Sequence, residues 1–264
     1  MADKTVRLEH LISAVNRVSA DLVIQMRLKT DAVIVNQCDR FEYSEMENCG
    51  SLIRIYNCNE RGVGLSRNTA ILHAKREISL IGDEDIVYTD TYVEDILKEF
   101  DDHPEADMIL FNVDQSDGRF TYHNDSFGRV RIYNSGRYAA YSIAVRTEVL
   151  KKTGVTFSTL FGGGAQYSAG EDSLFFKDAL KKGIKIYKSP ILIGHEITRK
   201  SSWFEGYTEK YFFDRGVLYH FLYGHLAKPL AIRFLISHKK EMCRDIPFWK
   251  CYSLMKKGIK SVQK

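Results

Sequence analysis

Apolar segments with strand-like spacing alternate with amphipathic segments along most of the chain. In the first half, the extended segments are Leu8 to Val15, Asp31 to Val35, Leu52 to Tyr56, Ile78 to Ile81 and Asp107 to Val113. Two further segments, Gly64 to Glu77 and Tyr92 to Asp102, place apolar residues at helical spacing and charges on the opposite face. The alternation predicts an α/β fold, in which helices cover a sheet.

The same alternation continues into the second half of the chain. It predicts a strand over Tyr138 to Val145, a helix from Thr147, a glycine-rich loop over Phe161 to Ala165, a helix over Glu171 to Lys182 closed by Gly183, and a strand over Ile184 to Ile193. From Trp203 onward the pattern is helical and rich in aromatic residues. We therefore expect a sheet domain over residues 1–206 and a helical extension over residues 207–264.

The composition is that of a folded protein from a reducing compartment. Of the 264 residues, 44% are hydrophobic, which is enough to bury a full core and excludes a disordered chain. The five cysteines include no C-x-x-C pair, so neither a zinc ribbon nor a disulfide framework is indicated. The N-terminus lacks the apolar core of a secretory signal, and no apolar run is long enough to span a bilayer. These features predict a cytoplasmic location.

Positive charge is concentrated near the C-terminus. Residues 225–264 contain ten Lys or Arg and two Asp or Glu, whereas the whole chain has a net charge of +4, so the remainder is acidic. Apolar clusters among these basic residues can lie on an anionic membrane, which predicts a peripheral position on its inner face. The alternative is a helical cap on the sheet domain with a solvated basic face. The charges are not interleaved with an RNA-binding or DNA-binding module, so we expect no nucleic acid partner.

An acidic turn follows the predicted strand Ile78 to Ile81. Its residues are Gly82, Asp83, Glu84 and Asp85. Open α/β sheets bind ligands at their carboxyl edge, where two carboxylates one residue apart can face one Mg²⁺ or Mn²⁺ that also binds phosphate oxygens. Acidic turns are also common as solvated features, so the motif by itself leaves both interpretations open.

A second acidic pair, Glu171 and Asp172, opens a predicted helix shortly after a glycine-rich loop. Acidic residues in a first helical turn often only stabilise the start of the helix. However, Gly163 and Gly164 allow the backbone to approach a ligand closely or to move as a lid. A carboxylate beside such a loop can take a proton from an acceptor hydroxyl. Both interpretations stay open at this point.

A histidine lies at the end of the last predicted strand of the sheet. His195 is followed by Arg199, Ser201 and Ser202. A lone histidine is usually structural, but a neutral imidazole can complete a metal shell. The arginine and the serines can hold diphosphate oxygens.

The loop that enters the predicted helix at Gly64 is not a dinucleotide fingerprint. A G-x-G-x-x-G match beginning at Gly62 requires glycine at position 67, where the chain has arginine. No G-x-x-x-x-G-K-[ST] sequence occurs. NAD-dependent enzymes and P-loop NTPases are therefore disfavoured.

Four motifs, in their order along the chain, resemble those of glycosyltransferase family 2. They are the helix start GLSRN, the acidic turn GDED, the segment VRTEVLKKTGVTF and the helix start GEDSLF. The resemblance extends over Leu8 to Gly206 and implies a GT-A fold, a Rossmann-like mixed sheet flanked by helices. It further implies a metal-dependent, inverting hexosyltransferase that moves a sugar from a nucleotide-diphospho-sugar, expected to be a UDP-sugar, to an acceptor hydroxyl. The acceptor would be a glycan, or a lipid-linked or protein-linked molecule, as in the synthesis of surface or capsular polysaccharides and glycoconjugates.

The resemblance also implies roles for individual residues. Asp172 becomes the catalytic base, with Glu171 beside it in the catalytic pair. Mn²⁺ or Mg²⁺ would be held by Asp83, Asp85 and His195. The nucleotide-sugar would be bound by Asn16, Gln37, Arg67, Asp83, Arg199, Ser201 and Ser202, and the acceptor by Gly163, Gly164 and Trp203.

Two segments depart from the family pattern. The usual first strand ending in P-x-Y-N is replaced by HLISAVNR, and the usual D-D-G-S after the second strand is replaced by Asn36-Gln37-Cys38-Asp39. Asn36 and Asp39 can therefore do the same work at the nucleobase or ribose as Asn16 and Gln37.

Two other functions compete with sugar transfer. A nucleotidyltransferase needs a metal and a nucleotide on a similar α/β sheet, but this chain has no basic, glycine-rich triphosphate loop. A catalytically degenerate GT-A binding subunit would keep the fold and hold a partner transferase. The altered nucleotide segments are the feature that favours this second alternative.

Overall fold

The computed structural model of the chain describes residues 7–115, 122–197 and 206–262. Its strands are β1 (Leu8–Val15), β2 (Asp31–Gln37), β3 (Glu42–Asn48), β4 (Ser51–Cys58), β5 (Ile78–Asp83), β6 (Ile86–Tyr88), β7 (Met108–Gln115), β8 (Gly128–Arg129), β9 (Ile143–Arg146) and β10 (Ile186–Glu196). Its α-helices are α1 (Ser19–Met26), α2 (Val63–His73), α3 (Tyr92–Asp102), α4 (Thr147–Thr153), α5 (Glu171–Lys181), α6 (Glu209–Tyr223), α7 (Ala227–Ser237), α8 (Lys239–Met242) and α9 (Phe248–Ser261).

All of these strands belong to one mixed sheet. Their order is β3-β4-β2-β1-β5-β9-β7-β10-β6, and β8 pairs with β10. β1 is parallel to β2 and β5, so that Val15 lies opposite Gln37 and Ser13 lies opposite Asp83. β9 runs antiparallel between β5 and β7. The carboxyl ends of β1, β2 and β5 therefore meet at one edge of the sheet, as the α/β prediction requires.

Helices bury both faces of the sheet. On β1, Ile12 contributes to one core and Leu11 to the other, because successive side chains of a strand point to opposite faces. The first core includes Ile96 of α3, and the second includes Ala70 of α2 and Phe175 of α5. The predicted fold class, a mixed sheet flanked by helices and followed by C-terminal helices, is confirmed.

Most boundaries of the predicted elements lie within three residues of the observed ones, but α2 ends at His73, four residues before the predicted end. α3 has the predicted bounds, and α5 ends one residue before the predicted end. β2 and β5 extend two residues further than predicted, to Gln37 and Asp83. The pattern missed α1 and β3. β3 is an edge strand with exposed glutamates, so it offers no apolar alternation to detect.

The predicted strand over residues 138–145 is wrong for its first half. Only Ile143–Arg146 forms a strand there, and 3₁₀ turns occupy Ser135–Arg137 and Ala140–Ser142. Tyr138 has a strand-forming side chain, but its ring lies 6.2 Å from the ring of Phe176 in α5. Its hydroxyl donates to Oδ1 of Asn124 at 3.3 Å. This packing overrides the local propensity.

The C-terminal helices form a bundle with its own apolar cluster, which includes Phe212, Ala231 and Met255. α6 and α9 approach so closely that a Cβ atom at Gly216 would lie 2.1 Å from the backbone oxygen of Met255. α6 also contacts the sheet domain, where Asp214 accepts a hydrogen bond from the backbone nitrogen of Ser168 at 3.1 Å. Within the described ranges, every helix is too short or too polar to serve as a bilayer-spanning segment. The division into domains at residue 206 stays a prediction.

Candidate active site

A buried arginine connects the start of α2 to the end of β5. α2 begins after Gly62, whose φ of 132° favours glycine, and Arg67 follows within its second turn. The Arg67 side chain is 4% exposed. Its Nη2 donates to both carboxylate oxygens of Asp83, at 3.0 and 3.1 Å. The last residue of β5 is therefore fixed against α2 by a charged contact.

The same guanidinium also reaches the start of α5. Nη1 of Arg67 donates to Oδ1 of Asp172 at 3.1 Å and to Oε1 of Glu171 at 3.3 Å. One cation thus holds three carboxylates: Asp83 from the acidic turn and both members of the pair that opens α5. Their convergence is an observation, whereas their catalytic and binding roles remain predictions.

Packing between α2 and α5 explains this convergence. The Asn68 side chain forms two hydrogen bonds with the backbone of Phe157, at 2.9 and 2.7 Å. The ring of Phe157 in turn stacks on the ring of Phe175 in α5, with centroids 4.1 Å apart. Through Phe157, Asn68 therefore positions α5, the helix that carries Asp172.

The environment of Asp172 favours its protonated form. Burial and then the adjacent charge of Glu171 raise the pKa of Asp172 to about 7, against the opposing effect of Arg67. The backbone nitrogen of Ala140 donates to Oδ2 of Asp172 at 3.2 Å and fixes its second oxygen. Burial opposes the charge on Arg67, but the surrounding carboxylates still hold its pKa above the ordinary arginine value. Asp172 is therefore held in place with a pKa suited to proton transfer near neutral pH.

The glycine-rich loop lies against the acidic cluster. The backbone oxygen of Gly163 accepts from the nitrogen of Val63 at 2.9 Å, which joins the loop to the start of α2. A Cβ atom at Gly162 would lie 2.7 Å from Cγ1 of Val63 and 2.8 Å from Cδ of Glu171. The loop that contains the predicted acceptor residues Gly163 and Gly164 is thus close to the candidate catalytic pair, Glu171 and Asp172.

Of the predicted nucleotide residues, Gln37 has a supporting position. It is 5% exposed, and its Oε1 accepts from the backbone nitrogen of Gly62 at 2.7 Å. Asn16 is exposed at the end of β1, with a φ of 52°, and its backbone nitrogen donates to Gln37 at 3.1 Å. Asn36 is buried and donates to Oδ1 of Asn57 at 2.8 Å. Of the predicted residues at the ends of β1 and β2, Asn16 and Asp39 are therefore the ones left on the open surface.

Sequence reasoning gave no role to Glu84, although the structure places it at the same edge. Its Oε2 accepts from the backbone nitrogen of Val15 at 2.9 Å and lies 3.7 Å from Nε of Arg17. The middle residue of the acidic turn thus supports the end of β1. Its position between two candidate metal ligands was the available signal. Ala140 carried no signal, because it contributes only backbone.

The predicted metal ligands do not form a complete site. Asp83 is engaged by Arg67, while Asp85 is held at the end of β10, where Ile197 donates to its backbone oxygen at 2.7 Å. His195 is exposed and lies opposite Val87 in the pairing of β10 with β6. The described ranges contain no group of three His, Cys, Asp or Glu side chains that could hold a metal ion. The predicted residues Arg199, Ser201, Ser202 and Trp203 lie outside the described residues.

The family is decided by comparison with known protein families. The model of the family described as "Glycosyl transferase family 2" matches residues 7–164, which is more than half of the chain. The chain belongs to glycosyl transferase family 2. This match includes the Arg67 helix and the acidic turn, whereas Glu171 and Asp172 lie beyond its end. Among curated proteins, no sequence is significantly similar to this family member.

Solved structures share the fold of this family 2 chain. Residues 1–349 of S. aureus TarS, solved in complex with UDP-GlcNAc, align with a TM-score of 0.62 and 15% identity over 90% of this chain and 74% of that TarS fragment. The mannosyltransferase PcManGT from Pyrobaculum calidifontis, solved with GDP-Man and Mn²⁺, aligns with a TM-score of 0.50 and 13% identity over 98% of this chain and 86% of that protein. At these identities the comparison shows the GT-A fold alone.

Proposed function

We propose that this protein transfers a sugar from a nucleoside-diphosphate sugar to an acceptor hydroxyl with inversion at the anomeric carbon. The observation that carries the proposal is the contact of one guanidinium, that of Arg67, with both Asp83 and Asp172. Asp83 lies at the carboxyl edge, where open α/β sheets bind nucleotides, and Asp172 is the candidate base. Arg67 sets the two groups close together, as a direct displacement requires.

The proposed reaction is a single displacement. Asp172 takes the proton of the acceptor hydroxyl while that oxygen bonds to the anomeric carbon. The bond between the anomeric carbon and the diphosphate oxygen breaks in the same step, and the nucleoside diphosphate leaves with the electron pair. No covalent enzyme intermediate forms. Arg67 orients the base, and Ala140 keeps its second oxygen in place.

A UDP-sugar is the donor that we propose to test first. TarS, which shares the fold, was solved with UDP-GlcNAc and with UDP, whereas PcManGT was solved with GDP-Man. Exposed Asn16 and Asp39, which follow β1 and β2, are the residues best placed to contact the nucleoside. We propose a hydroxyl of a glycan, or of a lipid-linked or protein-linked molecule, as the acceptor. We propose that this transfer contributes to the synthesis of a surface or capsular polysaccharide or glycoconjugate.

A divalent cation fits this site only together with the donor. The described residues supply no three-ligand group, but the carboxylate of Asp85 and diphosphate oxygens are the hard donors that Mg²⁺ and Mn²⁺ prefer. We therefore propose that Asp85, near the end of β10, holds Mn²⁺ or Mg²⁺ jointly with the diphosphate. When bound, the cation would neutralise charge on the leaving group. The PcManGT complex with Mn²⁺ supports this proposal.

The first experiment combines donor binding with donor consumption. Thermal unfolding is followed with a panel of nucleoside diphosphates and nucleotide-sugars, with and without Mn²⁺, because a ligand that binds the native state raises the unfolding temperature. Release of nucleoside diphosphate is then measured with the stabilising donor, for the wild type and for Asp172→Asn. We expect donor stabilisation in both proteins and turnover in the wild type alone. Donor binding without turnover by the wild type would favour the degenerate subunit, and triphosphate consumption with pyrophosphate release would favour the nucleotidyltransferase.

We also propose that the protein acts in the cytoplasm at the inner face of an anionic membrane, through the outer face of α9. The residues of α9 that pack inward are Cys251, Met255, Gly258 and Ile259. Its exposed residues include Trp249, which is 71% exposed, and Lys250, Lys256, Lys257 and Lys260. α9 contains no acidic residue. An exposed tryptophan beside several lysines, with no acidic residue in the same helix, suits the interface of a bilayer with anionic lipids.

Vesicle flotation tests this proposal. The protein should float with vesicles that contain phosphatidylglycerol and remain unbound with pure phosphatidylcholine. The triple substitution Lys256→Glu, Lys257→Glu and Lys260→Glu should abolish flotation. The matched control places the same charge change on the exposed residues Lys152, Lys181 and Lys185. Equal flotation of both triple variants would refute a role of α9 and would leave the bundle as a cap with a solvated basic face.

A further inference from the structure

A basic and aromatic surface lies between β7 and α5, outside the predicted site residues. Its centre is the ring of Tyr122, which is 42% exposed. The Arg137 guanidinium carbon lies 4.3 Å from the centre of this ring, and Nζ of Lys188 lies 5.7 Å from it. We call Tyr122, Arg137 and Lys188 the cationic platform. Two cations converge on one exposed ring, an arrangement that suits an anionic group on a molecule with a flat apolar face.

Charge in the segment that carries most of the cationic platform is mainly positive. Residues 122–142 contain three arginines, at positions 129, 131 and 137, and one acidic residue, Asp125. Within the part of the chain that the structure describes, neither Arg137 nor Lys188 forms an ion pair with a carboxylate. The Asp125 carboxylate instead lies 4.0 Å from Nδ1 of His123. This positive charge contrasts with the acidic balance of the sheet domain as a whole.

The cationic platform is fixed to the scaffold that holds the candidate base. Asn124 is 1% exposed, and it exchanges hydrogen bonds with Asn112 of β7 at 2.8 and 3.0 Å. On the other side of the platform, Tyr138 packs against Phe176 of α5 and donates to Asn124. The backbone is therefore anchored at Asn124, close to Tyr122, and at Tyr138, next to Arg137. A site supported in this way loses little conformational entropy when a ligand binds.

Covalent geometry places the platform close to Asp172. Arg137 precedes Ala140 by three residues, and Ala140 donates directly to Asp172. Consecutive α-carbons are about 3.8 Å apart, so the α-carbons of Arg137 and Ala140 are separated by at most about 11 Å. This is roughly the length of two sugar units. A molecule with one hydroxyl at Asp172 could thus extend its next units toward Arg137.

We infer that the cationic platform binds the acceptor and selects an anionic glycan, one that carries phosphate or carboxylate groups near the hydroxyl that is glycosylated. Arg137 and Lys188 would pair with the anion, while the ring of Tyr122 would contact a sugar face. This inference deepens the proposed transferase function and rests on it. It assigns acceptor selection to residues that are distinct from the glycine-rich loop.

The test measures binding of dextrans that share one backbone and differ in charge. Phosphorylated, carboxymethylated and unmodified dextran are titrated against the full chain, in a background in which Lys256, Lys257 and Lys260 are replaced by Glu to exclude binding through α9. We expect the protein to bind at least one charged dextran roughly tenfold more tightly than the neutral one, with affinity that falls as salt increases. The stronger of the two charged probes identifies phosphate or carboxylate as the anion.

The decisive variant is Arg137→Gln with Lys188→Gln, and its matched control is Arg27→Gln with Lys75→Gln at two exposed residues outside the platform. The platform variant should lose the preference for charged dextran, and the control should keep it. UDP binding and the unfolding temperature are measured on each variant to show that the fold and the donor site are intact. Equal affinity of wild type and platform variant for charged dextran, or tightest binding of neutral dextran, would overturn the inference. Failure of the transferase proposal is distinguishable, because it would appear as absent donor consumption while the platform variant still lowered dextran affinity.

Discussion

Arg67 donates two hydrogen bonds from a single nitrogen, Nη2, to the two carboxylate oxygens of Asp83. Its other terminal nitrogen, Nη1, holds Asp172 and Glu171. A planar guanidinium can divide its donors in this way, whereas an ammonium group is a single point charge. The candidate donor site and the candidate base are therefore joined by the fork geometry of one side chain.

We expect Arg67→Lys to fold and to lose activity. Lysine keeps the positive charge but cannot serve three carboxylates with fixed donors, so donor consumption should fall roughly 10- to 100-fold, as for the loss of a charge-assisted hydrogen bond. Donor turnover and unfolding temperature are measured together. Arg7→Lys is the matched control, because Arg7 also bridges two carboxylates, those of Glu77 and Asp101, and lies at the amino ends of β1 and β5, opposite to the candidate site. Equal turnover of Arg67→Lys and wild type would remove Arg67 from the mechanism.

Asp172→Asn should reduce turnover by roughly 10²- to 10⁴-fold, the usual contribution of a general base. Binding of the donor should change little, because Arg67 still contacts Asp83. Turnover is measured at saturating donor, and donor affinity by calorimetry. A variant that keeps full turnover would show that another group takes the proton.

The activity of the wild type should rise with pH through about 7, because Asp172 accepts a proton only when ionised and its pKa is raised to about 7. Initial rates of donor consumption across this pH range provide the measurement.

The contribution of Asp172 to the stability of the wild type should follow the opposite trend. The folded-state pKa of this aspartate lies above the unfolded value, so its contribution to stability is present at low pH and is lost as the pH rises through the folded pKa. The unfolding temperature of Asp172→Asn, relative to wild type, should therefore increase between pH 5 and pH 7 and then level off, as measured by calorimetry in matched buffers. A constant difference across this range would contradict the raised pKa.

Gly162→Ala should destabilise the protein by about 1–3 kcal/mol, because the new methyl group would meet Val63 and Glu171 and because the residue has a φ of 102°. Donor turnover should fall as well, since the loop borders the acidic pair. Chemical denaturation gives the free energy of unfolding. Gly136→Ala is the control for stability, because a Cβ atom there would have no neighbour within 4 Å. Equal stability of the two variants would show that the loop adapts easily.

Removal of divalent cations should abolish donor consumption, and Mn²⁺ or Mg²⁺ should restore it. Asp85→Asn should weaken the restoring effect, so that a higher cation concentration is needed, because a neutral amide is a weaker ligand for hard cations than a carboxylate. Initial rates across a cation titration after chelation provide the measurement. Undiminished turnover in excess chelator would contradict the proposed role of the divalent cation.

The amino-acid sequence by itself determined the elements whose side chains repeat with a local period. The amphipathic pattern of residues 92–102 predicted α3, and the apolar segments predicted β1, β2 and β5. Such predictions work because the spacing of apolar residues along the chain shows which face of an element is buried. The sequence also identified Asp83 and Asp172 as candidates, since their motifs follow from the strand end and the helix start that contain them.

Only the tertiary structure decided which of these candidates share a site and how far the pKa of Asp172 is raised. Arg67 and Asp172 are 105 positions apart, and the stack of Phe157 on Phe175 brings their helices together. The same packing buries Asp172 and raises its pKa, and it turns Tyr138 away from a strand and toward α5. Such contacts depend on how whole helices and strands pack, and the spacing of apolar residues within one element does not indicate them. The pattern of neighbouring residues therefore fixed the elements, whereas long-range packing fixed the chemistry of the site.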